Sequence, residues 1–213
     1  MGSSLFYRSP VLYHLMLRAV HGKGLQERYR LIAGELGAAT SVFEPMCGPA
    51  LLPQYLAQSV HYRGFDINAH FVEYAQRKGR AVDFRDVRDP ESFRGVSADG
   101  VVLIDALHHL WPYEEQQRAV ERSAAAANNT LIICDPFGDR VLDFIDTFPF
   151  LRRPIERIFN WAERDGPNQS RFDHLVKRDT LEARMTTGFG VLSGVKTTIQ
   201  QVGSEDLVAT YSW

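Results

Sequence analysis

The sequence predicts an α/β protein with a Rossmann-like, doubly wound and mostly parallel sheet, and three observations support this. Strand and helix patterns alternate from about residue 41 onward. The runs ADGVVLI and TLIIC are continuously apolar, as expected of strands covered on both faces. The closing segments GVKTTIQQV and EDLVATYSW have the pattern of an antiparallel pair. We therefore expect seven strands, with an antiparallel last strand and an N-terminal helical lid.

The elements follow in a regular order. Apolar spacing predicts helices over Leu12–Val20 and Gln26–Leu36, ahead of the sheet. The strands SVFE, HYRGFD and AVDFRD then alternate with helices expected over Leu51–Gln58 and Asn68–Lys78. Asn68 suits the N-cap of the second of these helices, because its side chain can accept a hydrogen bond from the first helical turn.

The second half of the chain continues the alternation. Pro112, Glu114 and Glu115 predict the first turn of a helix that closes before Asn128-Asn129. The aromatic-rich segment from Phe137 to Trp161 predicts one or two amphipathic helices, broken near Pro149 and Pro154, and a further helix is expected over Arg178–Thr187.

The chain of 213 residues is long enough for one domain with its own core. We expect four parts within it: a helical lid (1–40), a cofactor-binding core (41–136), a helical acceptor or cap region (137–190) and a terminal β-hairpin (191–213).

Composition and net charge disfavour several classes of function and location. A formal net charge of −2 offers no electrostatic basis for binding nucleic acid or an anionic membrane. The two cysteines, Cys47 and Cys134, lack metal-ligand spacing and fit a reducing compartment. No apolar run approaches the length of a membrane span, and Arg8, Pro10 and His14 interrupt any signal-peptide pattern. We expect a cytoplasmic protein with no stable membrane association.

An acidic residue stands at or near the end of each of the five predicted parallel strands. These residues are Glu44, Asp66, Asp86, Asp105 and Asp135. Because ligands of such sheets bind beyond the carboxyl ends of the strands, the five acids indicate a binding site at this edge. A structural alternative is that aspartate simply ends strands and opens turns.

The spacing of these acids points to an adenosine-type ligand. Asp66 lies 22 positions after Glu44, where an acid hydrogen-bonds the ribose in nucleoside-binding sheets. A pyrophosphate is not indicated, because Met46 and Ala50 stand at two of the positions that a phosphate-binding loop fills with glycine. Glu44 would repel a phosphate and attract an ammonium or sulfonium group. The loop therefore favours an adenosine with a positively charged tail.

These motifs resemble those of the class I S-adenosylmethionine-dependent methyltransferases, specifically the small-molecule type. VFEPMCGPA is similar to the first motif of that family, YRGFDIN to the second, VDFRDV to the third, and ADGVVLIDALHHL to the fourth and the segment after it. TLIICDPF matches the fifth strand. The chain departs from the family in lacking two glycines of the first motif. The resemblance implies S-adenosylmethionine as cofactor, Asp66 on the ribose hydroxyls, Asp86 on the adenine amino group and the Val87 backbone N–H on the ring. It implies cofactor contacts from Glu44, Met46, Cys47, Gly48, Asp66, Ile67, Asp86, Val87, Asp105 and Ala106.

Candidate catalytic residues follow the fourth strand. Transfer to a hydroxyl, a phenol or an acidic carbon needs a base, and His108 or His109 lies at the mouth of the expected cleft. Asp135 could orient one of these imidazoles. The alternative is that one histidine packs on the adenosine and the other caps the next helix. A metal bound by Asp105, Asp135 and a histidine is disfavoured, since Pro136 replaces the asparagine of catechol-type relatives, and we predict none.

Two segments outside the motifs are expected to surround the acceptor. The resemblance implies that the N-terminal helices close over the methionine end, which makes Tyr7, Tyr13 and His14 candidate substrate contacts. Phe137 begins the aromatic segment after strand five, which predicts either helices packed on the sheet, an apolar acceptor wall or a homodimer interface.

Taken together, these features predict methyl transfer to a small organic acceptor through its oxygen, nitrogen or carbon, in a biosynthetic pathway. The DALHHLW run after strand four lacks the proline pair of base methyltransferases, which disfavours nucleic acid as a partner. Two rivals are other chemistry with the same cofactor, such as cyclisation or rearrangement, and a non-catalytic nucleoside-binding regulator. An NAD-dependent dehydrogenase is disfavoured by the absent glycine loop.

Overall fold

The computed structural model describes residues 5–162 and 175–213. One sheet contains seven strands: β1 (Ser41–Pro45), β2 (His61–Asp66), β3 (Val82–Phe84), β4 (Ala98–Ile104), β5 (Ala127–Pro136), β6 (Lys196–Val202) and β7 (Asp206–Ser212). Their order is β3-β2-β1-β4-β5-β7-β6. The neighbours from β3 to β5 pair in parallel, whereas β7 is antiparallel to both β5 and β6. The predicted fold class is therefore confirmed.

Helices cover both faces of this sheet. They are α1 (Leu5–Arg8), α2 (Pro10–His21), α3 (Gly24–Leu36), α4 (Ala69–Arg77), α5 (Tyr113–Ala126), α6 (Asp139–Thr147), α7 (Arg152–Ala162) and α8 (Arg178–Thr186). Short 3₁₀ turns occupy Leu52–Gln54, Pro90–Phe93, Leu107–His109, Pro149–Leu151 and Gly188–Gly190.

Alternate residues of the central strands enter two separate cores. Val101 and Leu103 pack in a cluster that includes residues of α5 and α8. Val102 and Ile104 belong to a second cluster with residues of α2 and α3. This alternation explains the continuous apolar runs, because a strand buried on both faces has no polar side.

Local sequence signals set the helix ends that matter for the site. At α2, Ser9 accepts a hydrogen bond from the Leu12 N–H at 3.4 Å, Pro10 takes the first helical position, and Gly22 ends the helix at φ +55°. This ending leaves His21 as the last residue of α2. At α4, Asn68 is the N-cap, as predicted, and accepts from the His70 N–H at 3.1 Å.

The predicted close of the helix before Asn128-Asn129 is confirmed, since α5 ends at Ala126 and β5 begins directly after it. Two predictions about elements were wrong. The first is the helix expected over Leu51–Gln58, which is only a 3₁₀ turn, because its apolar pattern reflects Leu51 and Leu52 buried in a turn.

The second is the break predicted near Pro154, which instead lies in the first turn of α7, where a missing N–H costs no helical hydrogen bond. The predicted break at Pro149 is confirmed. Parts of the predicted lid (residues 1–4) and cap region (163–174) lie outside the described residues.

Candidate functional site

A cleft opens beyond the carboxyl ends of β1, β2 and β4. It has a volume of about 740 Å³, including space open to solvent. Parallel neighbours end at the same edge of the sheet, so the cleft walls bring together residues far apart in sequence. Its lining includes twelve predicted site residues: Tyr7, Tyr13, Glu44, Met46, Cys47, Gly48, Asp66, Ile67, Asp86, Val87, Asp105 and His109.

The loop after β1 contains one glycine, Gly48, yet three of its residues adopt the left-handed backbone conformation that favours glycine. Met46, Gly48 and Ala50 have φ values of +56°, +54° and +53°. This left-handed region favours glycine. Holding a residue with a side chain there, as at Met46 and Ala50, costs on the order of 1 kcal/mol or more per residue. The Cys47 N–H donates to the Phe65 carbonyl at 3.0 Å, and the Gly48 N–H donates to Oδ2 of Asp66 at 2.7 Å. Met46 and Ala50 therefore adopt a backbone conformation that glycine adopts more readily.

Glu44 is buried at the base of the cleft and is held by one tyrosine. The Tyr62 hydroxyl donates to its Oε2 at 2.5 Å. Gly64 permits this approach, because a Cβ there would lie 2.9 Å from the Tyr62 hydroxyl oxygen and 2.9 Å from the Glu44 carbonyl oxygen. Burial raises the pKa of Glu44 to about 8, with a further rise from Asp66. Glu44 is thus protonated at neutral pH until a cation lies beside it.

Glu44→Gln should weaken the pH dependence of stability. Above pH 4.5 the unfolded chain loses this proton, while the folded protein retains it up to about pH 8. The free energy of unfolding should therefore fall as pH rises through this window, by roughly a few kcal/mol at about 1.4 kcal/mol per unit of pKa shift. Gln accepts the same Tyr62 bond but does not titrate. We expect urea unfolding between pH 5 and 8 to show a flatter profile for Glu44→Gln, with exposed Glu73→Gln as control. Parallel profiles for wild type and Glu44→Gln would contradict the assignment.

Asp66, the predicted ribose contact, lines the cleft. It is buried at the end of β2, where Oδ1 accepts from the Asn68 N–H at 2.8 Å and Oδ2 accepts from the Gly48 N–H at 2.7 Å. These two backbone donors fix the orientation of the carboxylate at the cleft.

The next acid along this edge, Asp86, follows β3 and lines the cleft with Val87. Its Oδ1 accepts from the Arg88 N–H at 2.9 Å, and the Val87 carbonyl accepts from the Arg122 side chain at 2.9 Å. These contacts hold the turn on which the predicted adenine interactions depend.

Asp105 has a partner that the sequence did not indicate. Arg28 of α3 is fully buried, and its Nη1 and Nη2 donate to Oδ1 and Oδ2 of Asp105 at 2.9 and 2.5 Å. Although burial alone would raise it, the guanidinium holds the pKa of Asp105 well below its usual range. Asp105 is at φ +51°, so the pair also fixes an unfavourable backbone conformation. Its carboxylate is thus a charge already matched within the protein.

Asp135 pairs with His108 rather than with His109. Its Oδ1 lies 3.0 Å from His108 Nδ1, and its Oδ2 accepts from the His108 N–H at 3.0 Å. Both side chains are buried. His109 lines the cleft, with its ring 4.1 Å from that of His108 and edge-on to Tyr7 at 6.3 Å between centroids. The arrangement of a base and its orienting carboxylate is present at His108.

The N-terminal helices supply one wall. Tyr7 and Tyr13 line the cleft and pack against Phe71, with centroid distances of 6.0 and 4.8 Å. The Asn68 side chain donates to the Tyr7 carbonyl at 2.8 Å, which ties this wall to the start of α4.

Five predicted site residues do not line the cleft: His108 and Asp135, which form the pair described above, and three others. His14 lies on the side of α2 that faces a different cavity, beside Arg18 and Tyr55. Phe137 is buried in the hydrophobic core below the sheet edge. Ala106 is 1% exposed, and its short side chain packs into that same core. These positions are corrected from cleft contacts to supporting residues.

Sequence reasoning missed His21, Arg28 and Asp206. His21 Nδ1 lies 3.2 Å from Asp206 Oδ2, and Arg28 Nη1 lies 3.5 Å from Asp206 Oδ1. No motif marks these residues, although Arg28 interrupts the apolar face of its helix. His21, Asp105 and Asp206 place potential metal-ligand atoms within 4.8 Å of one another. Arg28 hydrogen-bonds Asp105 and lies within ion-pair distance of Asp206, so a metal there would meet an existing positive charge.

Comparisons with known proteins agree with this geometry. Residues 44–127 match the family model described as "Methyltransferase domain". No curated protein matches the chain significantly. Within the described residues, no helix combines the length and apolar character needed to cross a membrane.

Many solved structures share the fold. The methyltransferase domain of bacterial CtHen1 has 16% identity and a TM-score of 0.64, covering 89% of this chain and 100% of that one. A SAM-dependent methyltransferase from Archaeoglobus fulgidus has 14% identity and a TM-score of 0.64, covering 94% and 99%. Magnesium protoporphyrin IX methyltransferase from Synechocystis PCC 6803, with bound SAH, has 18% identity and a TM-score of 0.59, covering 89% and 83%.

Proposed function

Because this chain carries a methyltransferase domain with the fold of the class I S-adenosylmethionine-dependent enzymes, we propose that it methylates a small organic acceptor. One observation carries the proposal: a cleft with acids after successive strands lies beside the oriented His108–Asp135 pair. A dinucleotide would need phosphate contacts that this acid-lined loop does not offer.

The residues present fit the cofactor. Asp66 would hold the ribose hydroxyls, and Asp86 with Val87 would hold the adenine. Glu44 would face the ammonium of the methionyl tail, whose charge favours the carboxylate and releases its proton. When bound, S-adenosylmethionine supplies an electrophilic methyl group, and the protein's contribution is to hold the acceptor in line with it.

His108 is the proposed base. Its Nδ1 is paired with Asp135, which requires a hydrogen on Nδ1 and assigns proton uptake to Nε2. Nε2 would take the proton of an acceptor hydroxyl as the oxygen bonds to the methyl carbon. Tyr7, Tyr13 and His109 would exclude water from the reacting atoms.

The proposal extends to the setting of the reaction. We propose that the acceptor is a metabolite of a biosynthetic pathway and that the reaction takes place in the cytoplasm. We also propose that no nucleic acid is methylated, in line with the net charge of −2. Exposed Phe144, Phe148, Phe150, Ile158 and Trp161 on and between α6 and α7 mark the face through which a homodimer would form.

His108→Asn should slow methyl transfer by about 10²- to 10⁴-fold, the usual contribution of a general base. Affinity for S-adenosylhomocysteine should stay within about threefold, because Asn retains the backbone bond to Asp135. Transfer would be measured with methyl-labelled cofactor against a broad metabolite panel, and affinity by calorimetry. His61→Asn, an exposed histidine at the opposite edge of the sheet, is the matched control.

The outcomes of this experiment distinguish methyl transfer by His108 from the alternative functions. Wild-type protein that consumes the cofactor without labelling any acceptor would support cyclisation or rearrangement. Protein that binds S-adenosylhomocysteine tightly but turns over nothing in the panel would support a nucleoside-binding regulator. Label transfer at the wild-type rate by His108→Asn would remove the base assignment.

A further inference from the structure

Glu44 is a buried acid that lines the cleft without a cationic partner. The residue is only 2% exposed, and in the part of the chain that the structure describes it forms no ion pair. The Tyr62 hydroxyl donates to its Oε2 at 2.5 Å. A buried carboxylate without a positive partner is unfavourable, so the protein without ligand holds Glu44 as the neutral acid.

The charged groups around Glu44 do not supply the missing positive partner. Asp66, at the end of β2, and Asp105, after β4, are acids that disfavour a further negative charge. The charge of Asp105 is already matched by Arg28. Arg80, just before β3, favours the carboxylate weakly, because its guanidinium donates to a backbone carbonyl in the loop after β1 at 2.7 Å. A positive charge for Glu44 therefore has to come from a ligand.

The uncharged titratable neighbours of Glu44 stay uncharged at neutral pH. Burial raises the pKa of Tyr29 on α3, of Cys47 in the loop after β1 and of Tyr62 on β2 above their usual ranges. None of the three gives up a proton when a cation enters the cleft near neutral pH. The proton that is displaced there belongs to Glu44.

Tyr62 makes the charged form of Glu44 attainable. Its hydroxyl donates to the carboxylate and lowers the pKa of Glu44, against the larger rise that burial causes. A hydrogen bond of this kind stabilises an anion more than a neutral acid, because the charged oxygen is the stronger acceptor. Without the hydroxyl, Glu44 would keep its proton to a higher pH.

We propose that cofactor occupancy of this cleft responds to pH through Glu44, and that Tyr62 is the positioning residue that sets the response. The inference rests on the proposed function and adds a regulation to its cofactor site. The ammonium of the methionyl tail takes the place of the proton as the positive partner of the carboxylate, and the proton passes to solvent. Because the protein without ligand holds the proton and the complex does not, affinity rises with pH up to the Glu44 pKa of about 8.

The test counts the protons released when the full chain binds S-adenosylhomocysteine. Calorimetric titrations at about pH 7, in buffers with different enthalpies of ionisation, should show the release of close to one proton for each ligand bound. Affinity should rise about tenfold per pH unit between about pH 6 and about pH 7.5. An analogue of S-adenosylhomocysteine that lacks only the amino group should release no proton, and its affinity should not rise with pH.

Two variants assign the proton to Glu44 and its control to Tyr62. Glu44→Gln should bind S-adenosylhomocysteine without releasing a proton. Tyr62→Phe should bind it about tenfold more weakly at pH 7, since the carboxylate loses a donor, and its rise in affinity should continue to higher pH. Tyr62→Phe should bind the analogue as the wild type does, which a general structural defect would not allow. Tyr74→Phe and exposed Glu73→Gln, both outside the cleft lining, are the matched controls.

The proton count also separates this inference from the proposed function. Wild-type protein that binds S-adenosylhomocysteine without releasing a proton, or that releases as much with the analogue, would overturn the inference. A pH profile of Tyr62→Phe that coincides with that of the wild type would do the same for the role of Tyr62. Label transfer that persists alongside such a result would leave the proposed function standing, whereas failure to bind S-adenosylhomocysteine at all would remove both. Because the wild-type protein carries the main result, the test stands even if a variant fails to fold.

Discussion

Asp66→Ala is expected to weaken S-adenosylhomocysteine binding by about 100- to 1,000-fold. Hydrogen bonds to a charged group contribute about 1.5–3 kcal/mol each, and a tenfold change in affinity corresponds to about 1.4 kcal/mol. The carboxylate would accept from two ribose hydroxyls, and it also holds the Gly48 and Asn68 N–H groups in place. Calorimetric titration of the purified variant measures the effect.

Two further variants separate the loss of the ribose contact from the loss of a negative charge. Glu73→Ala removes an exposed acid on α4, close in sequence to Asp66 and outside the cleft lining. It should bind S-adenosylhomocysteine as the wild type does. Asp66→Asn, which keeps one acceptor oxygen for the loop, should give an intermediate affinity. Undiminished binding by Asp66→Ala would show that the ribose lies elsewhere.

Arg28→Met is expected to lower the free energy of unfolding by about 3–5 kcal/mol. Removing one partner of a buried ion pair leaves the other charge uncompensated, and this costs far more than the pair itself contributes. Arg28 faces two acids, Asp105 at 2.5 Å and Asp206 at 3.5 Å, and its side chain is 0% exposed. Urea unfolding followed by circular dichroism measures the change.

The pH dependence of the Arg28 effect has a definite sign. Arg28 lowers the pKa of Asp105, so the stability from this pair is present above the ordinary aspartate pKa and is lost as pH falls below it. The difference between wild type and Arg28→Met should therefore shrink below about pH 4. Exposed Arg30→Met on the same helix should change stability by no more than about 0.5 kcal/mol. Arg28→Met combined with Asp105→Asn should recover part of the loss, and no recovery would contradict the pairing.

The alternation of strands and helices was readable from the sequence because it depends on local patterns. Strands covered on both faces need apolar side chains on both faces, which marked β4 and β5 directly. The strand-end acids followed from topology, since neighbouring parallel strands end at one edge, and the cleft indeed contains Glu44, Asp66, Asp86 and Asp105. The turn at Leu52–Gln54 was misassigned because apolar residues buried in a turn match a helical pattern over so few positions.

What the sequence by itself determined is therefore the sheet, the order of its elements along the chain and the edge at which the acidic residues gather. The tertiary structure decided which charges meet there: Arg28 and Asp105 are 77 positions apart, and His21 reaches Asp206 from the other end of the chain. It also decided that Asp135 pairs with His108 and not with His109. The physical reason is that periodicity reports the burial of each residue within its own element. The partner of a buried charge depends on how separate elements pack, and no local pattern encodes that distance.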